Sequence, residues 1–172
     1  MSRSWWIVAV ALVAAACSGP SALSPDAAEL SLAGASGRNF VAQLSGAQEV
    51  PANASRARGV ATFQLSEDGS ELAYRLIVAN IENVRMAHIH LAPAGANGPV
   101  VAWLYPGGPP PQTIPGRTQG VLAEGTITAA SLSGPLAGLD LQDLIDEILA
   151  GNTYVNVHTD QFPPGEVRGQ IR

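Results

Sequence analysis

The sequence contains no lysine, and all nine of its basic residues are arginines. Covalent catalysis through a lysine Schiff base and nucleotide binding by a P-loop both require a lysine, so both are excluded. Fourteen acidic residues outnumber the arginines and give a formal net charge of −5. Binding to nucleic acid depends on clustered basic side chains and is therefore not expected.

Cysteine is nearly absent as well, because Cys17 is the only one in the chain. An intramolecular disulfide is thus impossible, and packing alone must hold the folded part together. Cys17 follows three alanines that end an apolar run at residues 5–16, which is typical of a secretory signal peptide. The pattern resembles a bacterial lipoprotein signal, in which Cys17 is lipidated and becomes the mature N-terminus. An ordinary secretory signal that leaves a free thiol is the alternative.

These features divide the chain into three parts. We predict a signal peptide at residues 1–16, a flexible tether at 17–37 that begins with the lipidated Cys17, and a folded domain at 38–172. The tether is rich in Ser, Ala, Gly and Pro and has no sustained period. The predicted product is an exported lipoprotein that is anchored to a membrane by its acyl chains and faces the periplasm or the cell exterior.

The folded part has the pattern of an all-β protein. Short runs of alternating apolar and polar residues are separated by Gly, Pro, Asn and Asp. Residues 59–66 and 71–78 flank a Glu-Asp-Gly-Ser turn and predict a hairpin, and residues 80–83 are interpreted as a turn into the next strand. Residues 140–150 have helical spacing and predict one helix. Seven or eight short strands with one helix indicate an antiparallel sandwich or barrel.

All three histidines of the chain lie in two strand-like segments. His88 and His90 are two residues apart, so in a strand they project from the same face, and His158 has the same phase in its own segment. Neutral imidazoles suit copper and zinc. We therefore predict a copper or zinc site formed by His88, His90 and His158, provided that the two segments lie close together. Met86 is on the same face and is a possible further ligand.

Four other polar residues are predicted to support this site. Asn156 shares the strand face of the third histidine, and Asp160 or Glu166 would accept a hydrogen bond from an imidazole. Arg168 either forms a partly exposed ion pair with Glu166 or orients an anionic ligand near the histidines. The alternative to a metal site is an ordinary exposed strand face, with His88 hydrogen-bonded across the sheet to Asn156 or Thr159.

Five short motifs occur in order along the chain: Gly-Ala-Gln-Glu-Val-Pro at 46–51, Ala-His-Ile-His at 87–90, Gly-Pro-Val-Val at 98–101, Tyr-Val-Asn-Val-His-Thr at 154–159 and Gly-Glu-Val-Arg-Gly-Gln-Ile at 165–171. Together they resemble the CHRD domain, which is named from chordin and recurs in bacterial exported proteins. The resemblance implies an antiparallel Greek-key β-sandwich, immunoglobulin-like or superoxide-dismutase-like, with one inserted short helix. It implies no particular activity or partner.

A second similarity is confined to the histidines. His-x-His on one strand with a distant third histidine resembles the copper site of copper/zinc superoxide dismutases, but the bridging fourth histidine has no counterpart. We therefore expect a membrane-anchored, non-enzymatic binding module that presents a surface to an unidentified protein or envelope component. The alternative is a copper- or zinc-binding envelope protein that uses the three histidines. A metalloenzyme acting on a small oxidant is the third interpretation.

Overall fold

The structure of the protein is a computed structural model, and it describes residues 38–172. The predicted signal peptide, the lipidation at Cys17 and the tether lie outside the described residues. Within them no helix has the length and apolar character needed to cross a membrane. The elements in this part are β1 (Asn39–Ser45), β2 (Arg58–Leu65), β3 (Leu72–Leu91), β4 (Val100–Tyr105), β5 (Ile114–Ile127), α1 (Leu141–Leu149), β6 (Thr153–Thr159) and β7 (Val167–Gln170).

Five of the strands close into a barrel. Strand β2 pairs with β1, β1 with β7, β7 with β6 and β6 with β3, and β3 pairs back with β2. All of these pairs are antiparallel, and β4 and β5 are two additional strands that pair with β3. The fold is therefore mostly β, with a closed five-stranded barrel, two extra strands and one helix. The predicted Greek-key sandwich of immunoglobulin-like or superoxide-dismutase-like type is wrong.

The barrel closes because β3 is one continuous strand of 20 residues. Its first half, up to Ala79, pairs with β2, and its second half, from Val84, pairs with β6. Between the halves, Asn80 and Asn83 have φ values of 56° and 52°, and the register with β5 shifts on either side of them. Asparagine tolerates this left-handed conformation, so the strand bends at these bulges and continues. The turn that was expected at residues 80–83, between two separate strands, is thus a bend within one continuous strand.

Other local predictions are confirmed. The predicted hairpin forms, with β2 and β3 in register from Leu65 opposite Leu72 to Arg58 opposite Ala79. Along β1 and β2 buried and exposed residues alternate, as expected for strands with one face toward a core.

The predicted helix is confirmed as α1. It begins after Asp140, whose backbone N–H donates to the Asp143 carboxylate at 2.9 Å, and it ends before Gly151, which has a φ of 75°. Its buried apolar side chains belong to the same core cluster as those of the barrel; they are Leu141, Leu144, Ile145 and Ile148.

Strand β6 departs from the alternating pattern, because all seven of its residues are buried. Val155 and Val157 belong to the apolar core. Tyr154, Asn156 and His158 alternate with them and therefore project from the outer side of the barrel, where loops cover them. The alternative of an ordinary exposed strand face is therefore wrong for β6, whose polar side chains are buried between the barrel and its loops.

We expect Gly169→Ala to open the barrel at the seam between β7 and β1. A Cβ atom at Gly169 would lie 2.2 Å from the backbone oxygen of Gln43, and a backbone atom cannot move aside without breaking the strand pairing. The free energy of unfolding in urea should fall by about 3 kcal/mol. Gly108→Ala is the matched control, because a Cβ there meets nothing within 4 Å, and it should change stability by less than about 0.5 kcal/mol. Equal effects of the two substitutions would contradict this account.

Candidate metal centre

The pairing of β6 with the second half of β3 determines where the histidines lie. His158 is opposite Met86, Asn156 is opposite His88, and Tyr154 is opposite His90. Alternate residues of a strand share a face, so these side chains lie together in one layer. His158 is diagonal to His88, a spacing across which long side chains still meet. The strand phase expected from the sequence thus brings the three imidazoles together.

The three rings form a compact cluster. His88 Nδ1 lies 3.2 Å from His158 Nε2, and one ligand nitrogen of each histidine lies within 4.8 Å of the other two. Two nitrogens that bind one zinc ion at 2.0–2.1 Å in tetrahedral geometry are about 3.3 Å apart. The ligand nitrogens of the cluster would have to draw together to this spacing, and its closest contact, at 3.2 Å, is a hydrogen bond that His88 Nδ1 donates to His158 Nε2.

Backbone carbonyls fix the tautomers of two rings. His90 Nδ1 donates to Gly98 O at 2.8 Å, and His158 Nδ1 donates to Pro163 O at 2.9 Å. Because a carbonyl only accepts, each Nδ1 carries the hydrogen and each Nε2 keeps its lone pair. Metal-binding histidines are commonly oriented in this way. In the described part of the chain, Nε2 of His90 and Nε2 of His88 are buried and have no hydrogen-bond partner.

Burial keeps the three rings neutral. His88 and His158 are only 2% and 6% exposed. Desolvation, together with the smaller effects of the neighbouring His158 and His90, lowers the pKa of His88 to about 3. Desolvation also lowers the pKa of His158 to about 4 and shifts the pKa of His90 in the same direction. Neutral imidazole is the form that binds a metal ion, so the cluster is in the binding form at physiological pH.

Two aromatic side chains that the sequence analysis did not assign to the site contact the histidines. Trp103 of β4 packs edge-on against His88, with ring centroids 4.2 Å apart. Tyr154 stacks on His90 at 4.9 Å with an interplanar angle of 8°, and its hydroxyl accepts a hydrogen bond from the Gly98 N–H. The sequence could have indicated Tyr154, because alternate residues of β6 share a face and Tyr154 therefore lies on the same face as His158. Nothing in the sequence indicated Trp103.

The two carboxylates that were expected to hold imidazoles have other partners. Asp160 is partly exposed and pairs with Arg85, with Oδ1 and Nε 3.6 Å apart. Glu166 is buried and accepts hydrogen bonds from the Ser55 and Thr159 hydroxyls at 2.7 and 2.8 Å. The ring nitrogens bond to backbone carbonyls instead. Met86 is half-buried on the face of the histidines.

Asn156 and Arg168 also differ from expectation. Asn156 does not bond to His88, because its Nδ2 donates to both carboxylate oxygens of Glu49 at 2.9 and 3.0 Å. Burial raises the pKa of Glu49 to about 7 against the opposing effects of Asn156 and of the Arg168 charge. The predicted partly exposed ion pair of Glu166 with Arg168 does not form, since Arg168 is fully buried and stacks on Tyr154. Glu49 lies in the first of the five motifs, and nothing else in the sequence indicated that it contacts this group of residues.

Comparison with known families finds a match to the CHRD domain over residues 40–171. The matched stretch includes all three histidines, and it confirms the resemblance that the five motifs suggested. No curated protein and no solved structure matches the chain.

Acid should destabilise the metal-free protein through the buried histidines. The ordinary histidine pKa of 6.5 falls to about 3 at His88 and to about 4 at His158 on folding. Unfolding between these values takes up protons, so the histidines leave stability undiminished above about pH 6.5 and lower it as the pH falls below that value. Each proton taken up changes the free energy of unfolding by about 1.4 kcal/mol per pH unit. Urea denaturation of resin-demetallated protein from pH 4 to pH 8 would measure this slope.

Two variants identify the groups responsible. His158→Gln should flatten the decline below about pH 6.5, because it removes one of the protons taken up on unfolding. Glu49 has the opposite effect, since its pKa is raised from 4.5 to about 7 and its proton is released on unfolding between those values. Glu49→Gln should therefore steepen the slope near pH 5.5. Unchanged slopes in both variants would show that these groups do not govern the acid response.

Proposed function

Since the chain belongs to the CHRD domain family, we propose that it is a non-enzymatic, extracytoplasmic binding module whose ligand is one copper or zinc ion. The ion is held by His88, His90 and His158. The observation that carries this proposal is their convergence: their ligand nitrogens lie within 4.8 Å of one another, and two buried Nε2 atoms have no partner among the described residues.

The unpartnered nitrogens support an ion more strongly than a structural role. A buried polar atom without a hydrogen bond destabilises a fold by about 1–3 kcal/mol. Among the described residues, His88 and His90 each bury such an atom, and their ring centroids are 5.4 Å apart. A metal ion uses these lone pairs, whereas a cluster that served only packing would be more stable with apolar side chains.

The set of donors favours copper or zinc. Three neutral imidazoles suit either ion and leave a further coordination position open. Met86 is half-buried on the same face and opposite His158, where its thioether is available as a soft ligand that prefers Cu(I). His90 is also half-buried, while His88 and His158 are buried, so an ion enters from the side of His90 and Met86.

Calorimetric titration tests this proposal. Cu²⁺ and Zn²⁺, added separately to metal-free protein, should each show saturable binding of one ion with sub-micromolar affinity. His88→Ala and His158→Ala should abolish it, because each removes one of three ligands. Gln64→Ala, at an exposed position of β2, is the control and should bind normally. Absence of saturable binding, or binding that persists in both histidine variants, would refute the metal site.

Trp103 provides a local optical readout. Its ring contacts His88, so Cu²⁺ bound at the histidines should quench its fluorescence in step with the calorimetric titration. Trp103→Phe should retain the binding heat and lose that component of the quenching. Quenching that occurs at a different ion concentration from the heat would indicate binding elsewhere on the protein.

We also propose that lipidated Cys17 anchors the module to a membrane. In Cys17→Ser the acceptor thiol is absent, so the protein should leave the membrane fraction after cell lysis and retain its signal peptide. Ser18→Ala, at the next position, should fractionate as the unmodified protein does. Membrane association that survives Cys17→Ser and resists high salt would contradict the anchor.

A further inference from the structure

Arg168 of β7 carries a buried charge that contacts no carboxylate among the described residues, and the Glu49 carboxyl acts on it only at longer range. The residue is only 1% exposed. Within residues 38–172 the side-chain ion pairs are Arg75 with Glu124 and Arg85 with Asp160, and no carboxylate oxygen lies within 4 Å of the Arg168 guanidinium. A buried charge without a partner is strongly unfavourable. The environment of Arg168 therefore favours an anion.

The contacts of this guanidinium are neutral and long. Nη1 donates to Asn97 Oδ1 at 3.2 Å, and Nη2 donates to Pro93 O at 3.2 Å and to Gln170 Oε1 at 3.4 Å. Bonds from arginine to a carboxylate are shorter, at about 2.7–2.9 Å. A guanidinium has five N–H donors, so these three bonds leave donor capacity for a ligand. One face of the guanidinium packs against the Tyr154 ring, whose centroid is 3.4 Å from Cζ of Arg168.

Arg168 lines a pocket, which we call the Arg168 pocket, of about 250 Å³. Its polar lining also includes Arg172, Glu49, Gln48 and Gln170. None of the three histidines lines it, so the Arg168 pocket is distinct from the candidate metal centre. Pockets for drug-sized ligands start at about 300 Å³, so this volume suits a smaller molecule.

Among the described residues, Glu49 is the single acidic side chain that lines the Arg168 pocket. Its carboxylate oxygens accept from Asn156, and burial raises its pKa to about 7, so much of it carries a proton at neutral pH. A protonated carboxyl group does not repel an anion, and its O–H can donate to one. Asn156 holds this group in place from β6.

We propose that the Arg168 pocket binds a small carboxylate anion. The planar guanidinium of Arg168 offers a fork that matches the two oxygens of a carboxylate. The partly exposed Arg172 adds a second positive charge, and the acid of Glu49 donates a hydrogen bond. The planar fork of a single guanidinium in a small pocket matches the two coplanar oxygens of a carboxylate better than the tetrahedral oxygens of phosphate.

Calorimetry with succinate as the probe tests the proposal on full-length protein that has been freed of metal on a chelating resin. Succinate should bind saturably, and phosphate at the same ionic strength should bind at least tenfold more weakly. Arg172→Gln should weaken succinate binding several-fold through loss of one charge. Arg117→Gln is the matched control, since Arg117 is exposed and bonds to Asn80, and it should leave binding unchanged.

Arg168→Gln should abolish succinate binding, and two further variants keep the test decisive if that protein fails to fold. Glu49→Gln removes a negative charge and keeps a hydrogen-bond donor, so it should bind succinate at least as tightly as the unmodified protein. Glu49→Ala should bind it more weakly. Failure of succinate to bind, equal affinity for phosphate, or equal behaviour of Arg172→Gln and Arg117→Gln would overturn the proposal. Because the measurement uses metal-free protein, these outcomes are independent of whether the histidines bind an ion.

Discussion

The pairing of β6 with the second half of β3 is the contact on which the rest of the structure depends. It buries Val155 and Val157 in the barrel and, on the opposite face, brings His158 next to His88. A shift of one residue would exchange the two faces of β6 and place imidazole and amide groups among apolar side chains. The large penalty for burying those groups there therefore protects the register. The same strand pairing thus determines both the barrel core and the geometry of the three histidines.

The loops outside the barrel determine the protonation state of the histidines on the outer face of β3 and β6. The segment around Glu49 bonds to Asn156, the segment around Gly98 bonds to His90, and Pro163 bonds to His158. The loops are also linked to each other, since Asn97 and Asn53 donate to backbone oxygens of neighbouring loops. They exclude water from the rings, and exclusion of water is the main cause of the lowered histidine pKa values. The strands provide the positions of the ligands, and the loops provide their protonation state.

Features that depend on the alternation of neighbouring residues could be predicted from the sequence, whereas features that depend on contacts between distant residues could not. Alternation around His88 and His158 is a property of neighbouring residues, so their common face was predictable. Closure of the barrel was not, because it requires one strand to bend at Asn80 and Asn83 and to pair with two partners far away in the chain. The carbonyls that orient the rings belong to Gly98 and Pro163, and every residue has a carbonyl, so no residue type marks them. Trp103 reaches His88 only because β4 pairs with β3, which the sequence does not reveal.

Tyr154 connects the buried arginine to the histidines. Its ring lies between the Arg168 guanidinium, 3.4 Å away, and the His90 imidazole, 4.9 Å away, and its hydroxyl is held by the residue whose carbonyl holds His90. Burial is the main reason for the lowered pKa of His90, and the positive charge of Arg168 lowers it further. The buried cation therefore helps to keep His90 unprotonated, which is the state that a metal ligand needs. A guanidinium without a contacting carboxylate thus helps to keep the imidazole on the other side of Tyr154 neutral, so that its lone pair stays available to a metal ion. A carboxylate beside Arg168 would offset that field and place a negative charge near the ion, so the electrostatics of the Arg168 pocket and of the metal centre act on the same ring.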